Sequence, residues 1–79
     1  MWTSSNNALE RTFTFTNFIE AFAFLTKVAL IAESINHHPM WTNEWNKVII
    51  RLSTHDAGNI VTEKDLELAK LIDDLYNVH

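Results

Sequence analysis

The residues in this chain best suited to chemistry are its histidines. His37 and His38 are adjacent and stand directly before Pro39, while His55 follows a run of alternating apolar residues. Imidazole titrates near neutral pH, so such a group can supply a proton in one step of a reaction and accept one in another. Glu33 lies four residues before His37, and on a helix those two side chains share a face. A carboxylate there would favour the protonated imidazole, and the negative end of the helix would act in the same direction. Asp56 beside His55 is a second candidate carboxylate, although neighbours in an extended segment point to opposite sides.

Spacing alone leaves several readings open. A histidine pair at a helix end is commonly a solvated cap, and a histidine after a strand is commonly a polar loop residue. The same groups suit general acid–base catalysis. Glu33, His37 or His38, and His55 are also suitable ligand types for a metal, though without the tight spacing of a recognised motif. Cysteine is absent, which removes disulfides, thiolate metal sites and thiol nucleophiles. His79 ends the sequence and is assigned no role.

The elements that would position these residues follow from periodicity. Trp2 begins a short strand, Ser4-Ser5-Asn6-Asn7 reads as a turn, and Leu9 to Phe15 alternates with Arg11, Phe13 and Phe15 on one side. Asn17 caps a helix, with Glu20 three residues on, as a capping box requires. Phe18, Ala21, Phe22, Leu25, Val28, Ala29 and Ala32 form its apolar stripe, and Phe24, Leu30 and Ile31 lie off it. A helix oily on more than one side needs a second covering surface, such as another subunit. Pro39 disfavours helical backbone at His38, so the helix ends near Asn36 or His37. Trp41 to Trp45 and Val48 to Leu52 form two antiparallel strands around an Asn46-Lys47 turn, with Val48, Ile50 and Leu52 on one face and Ile49 on the other. After the Asp56–Asn59 loop, Thr62 and Asp65 resemble another helix start, and Leu66, Ala69, Ile72 and Tyr76 mark the buried face.

The expected fold is α+β, one domain over residues 1–79: a four-stranded antiparallel sheet with two helices packed on one face, in the order β-β-α-β-β-α. Hydrophobic residues make up 47% of the 79 positions, with one glycine and one proline, which is a packed globular composition. So short a chain buries a small core, and a partner chain would help stabilise it. The formal charge of −4 disfavours direct contact with nucleic acid or an anionic membrane. No run approaches the roughly 18 apolar residues of a membrane span, and no secretory signal opens the chain. A cytoplasmic protein is expected.

The wording of the sequence narrows the chemistry. Phe13-Thr14-Phe15-Thr16-Asn17-Phe18, Ala21-Phe22, Val28-Ala29, Ala32-Glu33, Asn36-His37-His38-Pro39-Met40-Trp41, Asn46-Lys47-Val48, Leu52-Ser53-Thr54-His55-Asp56 and the final Thr62, Asp65, Leu68-Ala69, Ile72-Asp73 together resemble the pterin-4a-carbinolamine dehydratases. The resemblance runs from Trp2 to about Tyr76. Family members usually carry a further helix ahead of the segment where this sequence begins. Trp45 stands where a tyrosine is more usual, and Gly58-Asn59 replaces a more glycine-rich turn.

The resemblance implies a hydro-lyase acting on 4a-hydroxytetrahydropterin, giving quinonoid dihydropterin and water in support of tetrahydropterin recycling. It implies that His37 and His55 are acids for the hydroxyl on either face of the ring, and that His38 holds substrate and acts as base. Glu33, Ser53, Thr54 and Asp56 become substrate-binding candidates. No metal or organic cofactor is implied; the pterin is the substrate. A homodimer or homotetramer is expected, since some animal relatives form a tetramer through a helical surface that also serves a homeodomain transcription factor. A non-catalytic dimerisation or transcription-cofactor module is therefore the alternative, and a metal-dependent hydrolase a third.

Overall fold

The computed structural model describes residues 1–78, and His79 lies outside them. The elements are β1 (Thr3–Ser5), β2 (Ala8–Thr14), α1 (Phe18–Ser34), β3 (Met40–Glu44), β4 (Lys47–Leu52), a turn of 3₁₀ helix (His55–Ala57) and α2 (Glu63–Asn77). The expected order and class hold: one antiparallel sheet, arranged β1-β2-β4-β3, with two helices against it. Among the described residues no helix is long and apolar enough to cross a membrane.

Register sets which side chains meet the helices. Phe13 pairs with Val48, Arg11 with Ile50 and Leu9 with Leu52, so the inward residues of β2 and β4 lie side by side. Val48, Ile50 and Leu52 are buried as the alternation predicts, while Ile49 faces away. Burying each such side chain fully stabilises the fold by about 1.5–3 kcal/mol. Ala21, Leu25, Val28 and Ala32 of α1, with Leu68, Ala69 and Ile72 of α2, complete the same core. Both helices therefore cover one face of the sheet.

Ala21, Leu25, Val28 and Ala32 of the expected stripe are inside, but α1 is turned from it toward Phe24. Phe24 is buried, whereas Phe18 and Phe22 are exposed and lean on each other with ring centroids 5.9 Å apart. The cause is aromatic packing: Phe24 lies 5.1 Å from Phe13 and 5.0 Å from Phe15, and Tyr76 joins the cluster edge-on at 4.9 Å from Phe13. A helix with apolar residues on two faces can turn either inward, and this cluster selects one. In α2, likewise, Leu68 rather than Leu66 takes the buried position.

Both hairpins close on two residues. Asn6 and Asn7 take positive φ (50° and 63°), the conformation the twist of a tight hairpin favours and asparagine tolerates. The second turn falls on Trp45 and Asn46, one residue earlier than expected, with Trp45 at φ 50°. A bulky residue there is uncommon, and side chains hold it. Asn43 Nδ2 donates to the carbonyls of Trp45 and Lys47, and Asn46 Nδ2 donates to that of Phe15.

Candidate active site

The end of α1 decides where the histidine pair goes. The helix stops at Ser34, with Ile35 as cap, rather than at Asn36 or His37. Asn36 takes left-handed backbone (φ 51°), its N–H donates to Glu33 O at 3.1 Å, and the N–H of His37 donates to Ala32 O at 3.0 Å. These are the two hydrogen bonds of a Schellman motif, with asparagine in the place glycine usually fills. The chain reverses there, so His37 does not continue the helical face of Glu33. His38 returns to that carboxylate instead, Nε2 to Oε1 at 2.8 Å across an exposed pair. The expected Glu33–His37 pairing is thus replaced by Glu33–His38.

His37 turns inward and is buried. Its Nε2 lies 2.6 Å from Oδ1 of Asp65, a residue with no exposed surface. The other oxygen of Asp65 accepts the N–H of Thr62 at 2.8 Å and the hydroxyl of Thr54 at 2.7 Å. Thr54 has a single hydroxyl proton and gives it to Asp65, so the 2.6 Å contact between Thr54 and Thr62 is a donation from Thr62. Thr62 accepts in turn from the Lys64 N–H, as the cap of α2. Burial by itself would raise the Asp65 carboxyl. The hydrogen bonds from His37, Thr62 and Thr54, with the proximity of the imidazole, outweigh it and hold Asp65 below the ordinary carboxylate range. An ionised carboxylate only accepts, so the proton in the His37–Asp65 contact sits on Nε2, and Nδ1 is the nitrogen left for other partners.

His55 arrives from beyond the end of β4. β4 ends at Leu52, Thr54 is pinned by its hydrogen bonds to Asp65 and Thr62 and by a bridge to Ile60, and His55 opens the 3₁₀ turn that Gly58 closes at φ 90°. That turn leaves His55 exposed, with Nδ1 3.3 Å from Asn59 Oδ1. The N–H of Gly58 returns to the His55 carbonyl at 3.0 Å.

These segments enclose a cleft of about 290 Å³ lined by Asn36, His37, His38, Thr54, His55, Asp56 and Lys64. All three imidazoles singled out in the sequence border it, with Thr54 and Asp56. Glu33 and Ser53 do not line it; Glu33 touches it through His38. Asp65 lies behind the wall formed by His37 and Thr54. Sequence reasoning assigned Asp65 to helix capping and missed its second role. A groove of about 270 Å³ bordered by Glu20, Ala23, Phe24 and Lys27 lies along the N-terminal half of α1 and contains no imidazole. Among the described residues, no group of three histidine, cysteine or acidic side chains is arranged to hold a metal ion.

An α+β sheet whose cleft gathers histidines from the end of its first helix and the end of its last strand defines a class, and comparison with known proteins agrees on which. The sequence profile described as pterin 4 alpha carbinolamine dehydratase matches residues 1–75. A Prochlorococcus marinus protein provisionally named pterin-4-alpha-carbinolamine dehydratase is 58% identical over 72 residues, 91% of this chain and 74% of its own length. A protein of the same provisional name from Opitutus terrae is 49% identical, covering 87% of this chain and 71% of its own. The crystal structure of a transcriptional coactivator/pterin dehydratase from Brucella melitensis superposes with a TM-score of 0.90 at 38% identity, over 95% of this chain and 81% of that one. A pterin dehydratase-like protein identified as a RuBisCO assembly factor of the alpha-carboxysome shares the fold, with a TM-score of 0.76 at 23% identity over 96% of this chain and 87% of its own. The chain belongs to the pterin-4α-carbinolamine dehydratase family.

Proposed function

We propose that this protein removes water from a 4a-hydroxytetrahydropterin to give quinonoid dihydropterin, using its three clustered histidines as proton donors and acceptors. The single observation that carries the reading is the convergence of His37, His38 and His55, from two separate segments, on one cleft.

The reaction needs two proton movements. A general acid protonates the hydroxyl on carbon 4a, the carbon–oxygen bond breaks, and water leaves. The lone pair of nitrogen 5 forms the new carbon–nitrogen double bond while a base takes the proton from that nitrogen. One proton is given and one taken, so the protein returns to its starting charge. His37 and His55 serve as acids toward the two faces of the ring, and His38 holds substrate and receives the nitrogen proton. Asp65 keeps its negative charge, so it balances the positive charge on His37 whenever that ring carries two protons. Asp56, which borders the cleft, serves recognition of the pterin's amide and amino edge, Thr54 lines the same wall with its hydroxyl proton given to Asp65, and Glu33 acts by way of His38. Imidazoles perform both proton transfers, and neither a metal nor an organic cofactor is needed for them. Mixing the protein with freshly generated 4a-hydroxytetrahydropterin and following absorbance tests this; a rate equal to buffer alone would contradict it.

A second reading rests on α1. Phe18, Ile19, Phe22 and Leu30 are exposed on one helix, more apolar surface than a helix facing only water usually carries. Self-association through this face into a dimer or tetramer accounts for it, and a non-catalytic docking role is its alternative use. The catalytic reading is preferred because a docking face alone gives no reason for three imidazoles around one cleft.

A further inference from the structure

The two candidate acids are mounted by opposite nitrogens. His37 is held at Nε2 by the carboxylate of Asp65, which leaves Nδ1. His55 is held at Nδ1, 3.3 Å from Oδ1 of Asn59, which leaves Nε2. Both mounts hang on Thr54. Its hydroxyl donates to Asp65, and its carbonyl accepts the N–H of Ala57 at 3.2 Å and that of Asn59 at 3.0 Å. The Gly58-Asn59 pair, which stands where the family carries a more glycine-rich turn, makes the second mount possible. Two successive left-handed residues, Gly58 at φ 90° and Asn59 at φ 61°, fold the chain back onto the 3₁₀ turn. A second glycine would take this backbone as readily; asparagine tolerates it and also brings an amide to the ring.

That amide has a chemical consequence. As an acid, the ring of His55 carries a proton on each nitrogen. A carbonyl oxygen only accepts, so Asn59 Oδ1 takes the Nδ1–H and the Nε2–H is the proton available to the cleft. Once that proton is given to the leaving hydroxyl, the Nδ1–H stays on Asn59. The neutral ring is then left in one tautomer, ready to be recharged at Nε2. Asn59 thus does for His55 what Asp65 does for His37, with an exposed neutral amide in place of a buried anion.

We propose that Asn59 is the positioning residue for His55, fixing its ring so that Nε2 rather than Nδ1 faces the reaction. The proposal rests on the pterin reading of the histidine cleft.

Two variants test it. Asn59→Gly deletes the amide while favouring the left-handed backbone, so the turn is kept. Asn59→Asp restores an accepting oxygen. The two stereoisomers of 4a-hydroxytetrahydropterin are assayed separately, and kcat for the isomer that His55→Ala slows is divided by kcat for the other. Asn59→Gly should lower this ratio by about three- to tenfold, the range of one solvent-accessible hydrogen bond, and Asn59→Asp should return it toward wild type. Equal slowing of both isomers would make Asn59 a loop residue only and overturn the proposal. Nitrogen NMR of the imidazoles, at a pH where His55 is neutral, reads the same assignment without substrate. Wild type should carry the His55 proton on Nδ1, and Asn59→Gly should move it toward Nε2. An unchanged tautomer would overturn the proposal. Absence of turnover in wild type would count against the dehydratase reading alone, and the NMR comparison would still decide the role of Asn59.

Discussion

Asp65 Oδ1 lies 2.6 Å from His37 Nε2, although the two residues are 28 positions apart, one just beyond the end of α1 and the other in the first turn of α2. This contact joins stability to the candidate chemistry. Asp65 caps α2, receives Thr54 from the end of β4, and orients the imidazole that follows α1.

Removing the carboxylate should therefore cost more than a cap. Asp65→Ala leaves the N–H of Thr62, the hydroxyl of Thr54 and the Nε2–H of His37 without their acceptor. The expected loss is about 3–5 kcal/mol, the range for breaking a buried pair, against about 1 kcal/mol for a cap alone. Urea denaturation measures it, and a loss near 1 kcal/mol would reduce Asp65 to a capping residue.

The same carboxylate predicts an acid limb of stability. Its pKa is lowered in the folded protein from an ordinary value of 3.8. The unfolded chain therefore takes up this proton first as pH falls. The contribution is fully present above the unfolded value and is lost as pH drops from there through the lower folded value. Urea midpoints measured downward from pH 5 should fall more steeply in wild type than in Asp65→Asn. Parallel curves would show that another group governs the acid limb.

Asn36 offers a test of positioning that substitutes none of the histidines. Its left-handed backbone costs most side chains roughly 1–2 kcal/mol, and glycine nothing. Asn36→Gly should keep stability within about 0.5 kcal/mol, whereas Asn36→Val should lose about 1 kcal/mol or more, from the figures for surface and strained positions. Because the reversal at Asn36 aims His37 and His38, Asn36→Val should also lower turnover. Full activity in a destabilised Asn36→Val protein would separate the helix end from the site.

The exposed aromatic pair on α1 predicts association. Light scattering should find a dimer or tetramer, and Phe22→Glu should shift it toward monomer. A monomeric wild type would leave the exposed Phe18–Phe22 face without a self-association role.

Much of this arrangement could be read from the sequence, and the rest could not for identifiable reasons. Alternation placed Phe13, Val48, Ile50 and Leu52 inside because a strand has only two faces, and the register confirms them. In α1 the periodicity placed Ala21, Leu25, Val28 and Ala32 inside, but not Phe24 in place of Phe18 and Phe22, because that choice rests on the tertiary cluster of Phe13, Phe15, Phe24 and Tyr76. Pro39 pointed to a helix end near Asn36 or His37; α1 stops at Ser34, and the reversal at Asn36 gives Glu33 to His38 rather than to His37. Thr62 and Asp65 were recognisable as a cap because capping is local. That Asp65 also holds His37 depends on how α2 crosses the end of α1, which no local pattern encodes.

The central claim is that imidazoles from two segments act on one substrate. The most direct measurement is turnover of the two 4a-hydroxytetrahydropterin stereoisomers, each assayed separately with His37→Ala, His38→Ala and His55→Ala proteins of verified fold. The account predicts that His37→Ala slows chiefly one isomer and His55→Ala chiefly the other, each by about a hundred- to ten-thousand-fold, and that His38→Ala slows both. If His37→Ala and His55→Ala each convert both isomers at the wild-type rate, the histidine cleft is not where water is lost.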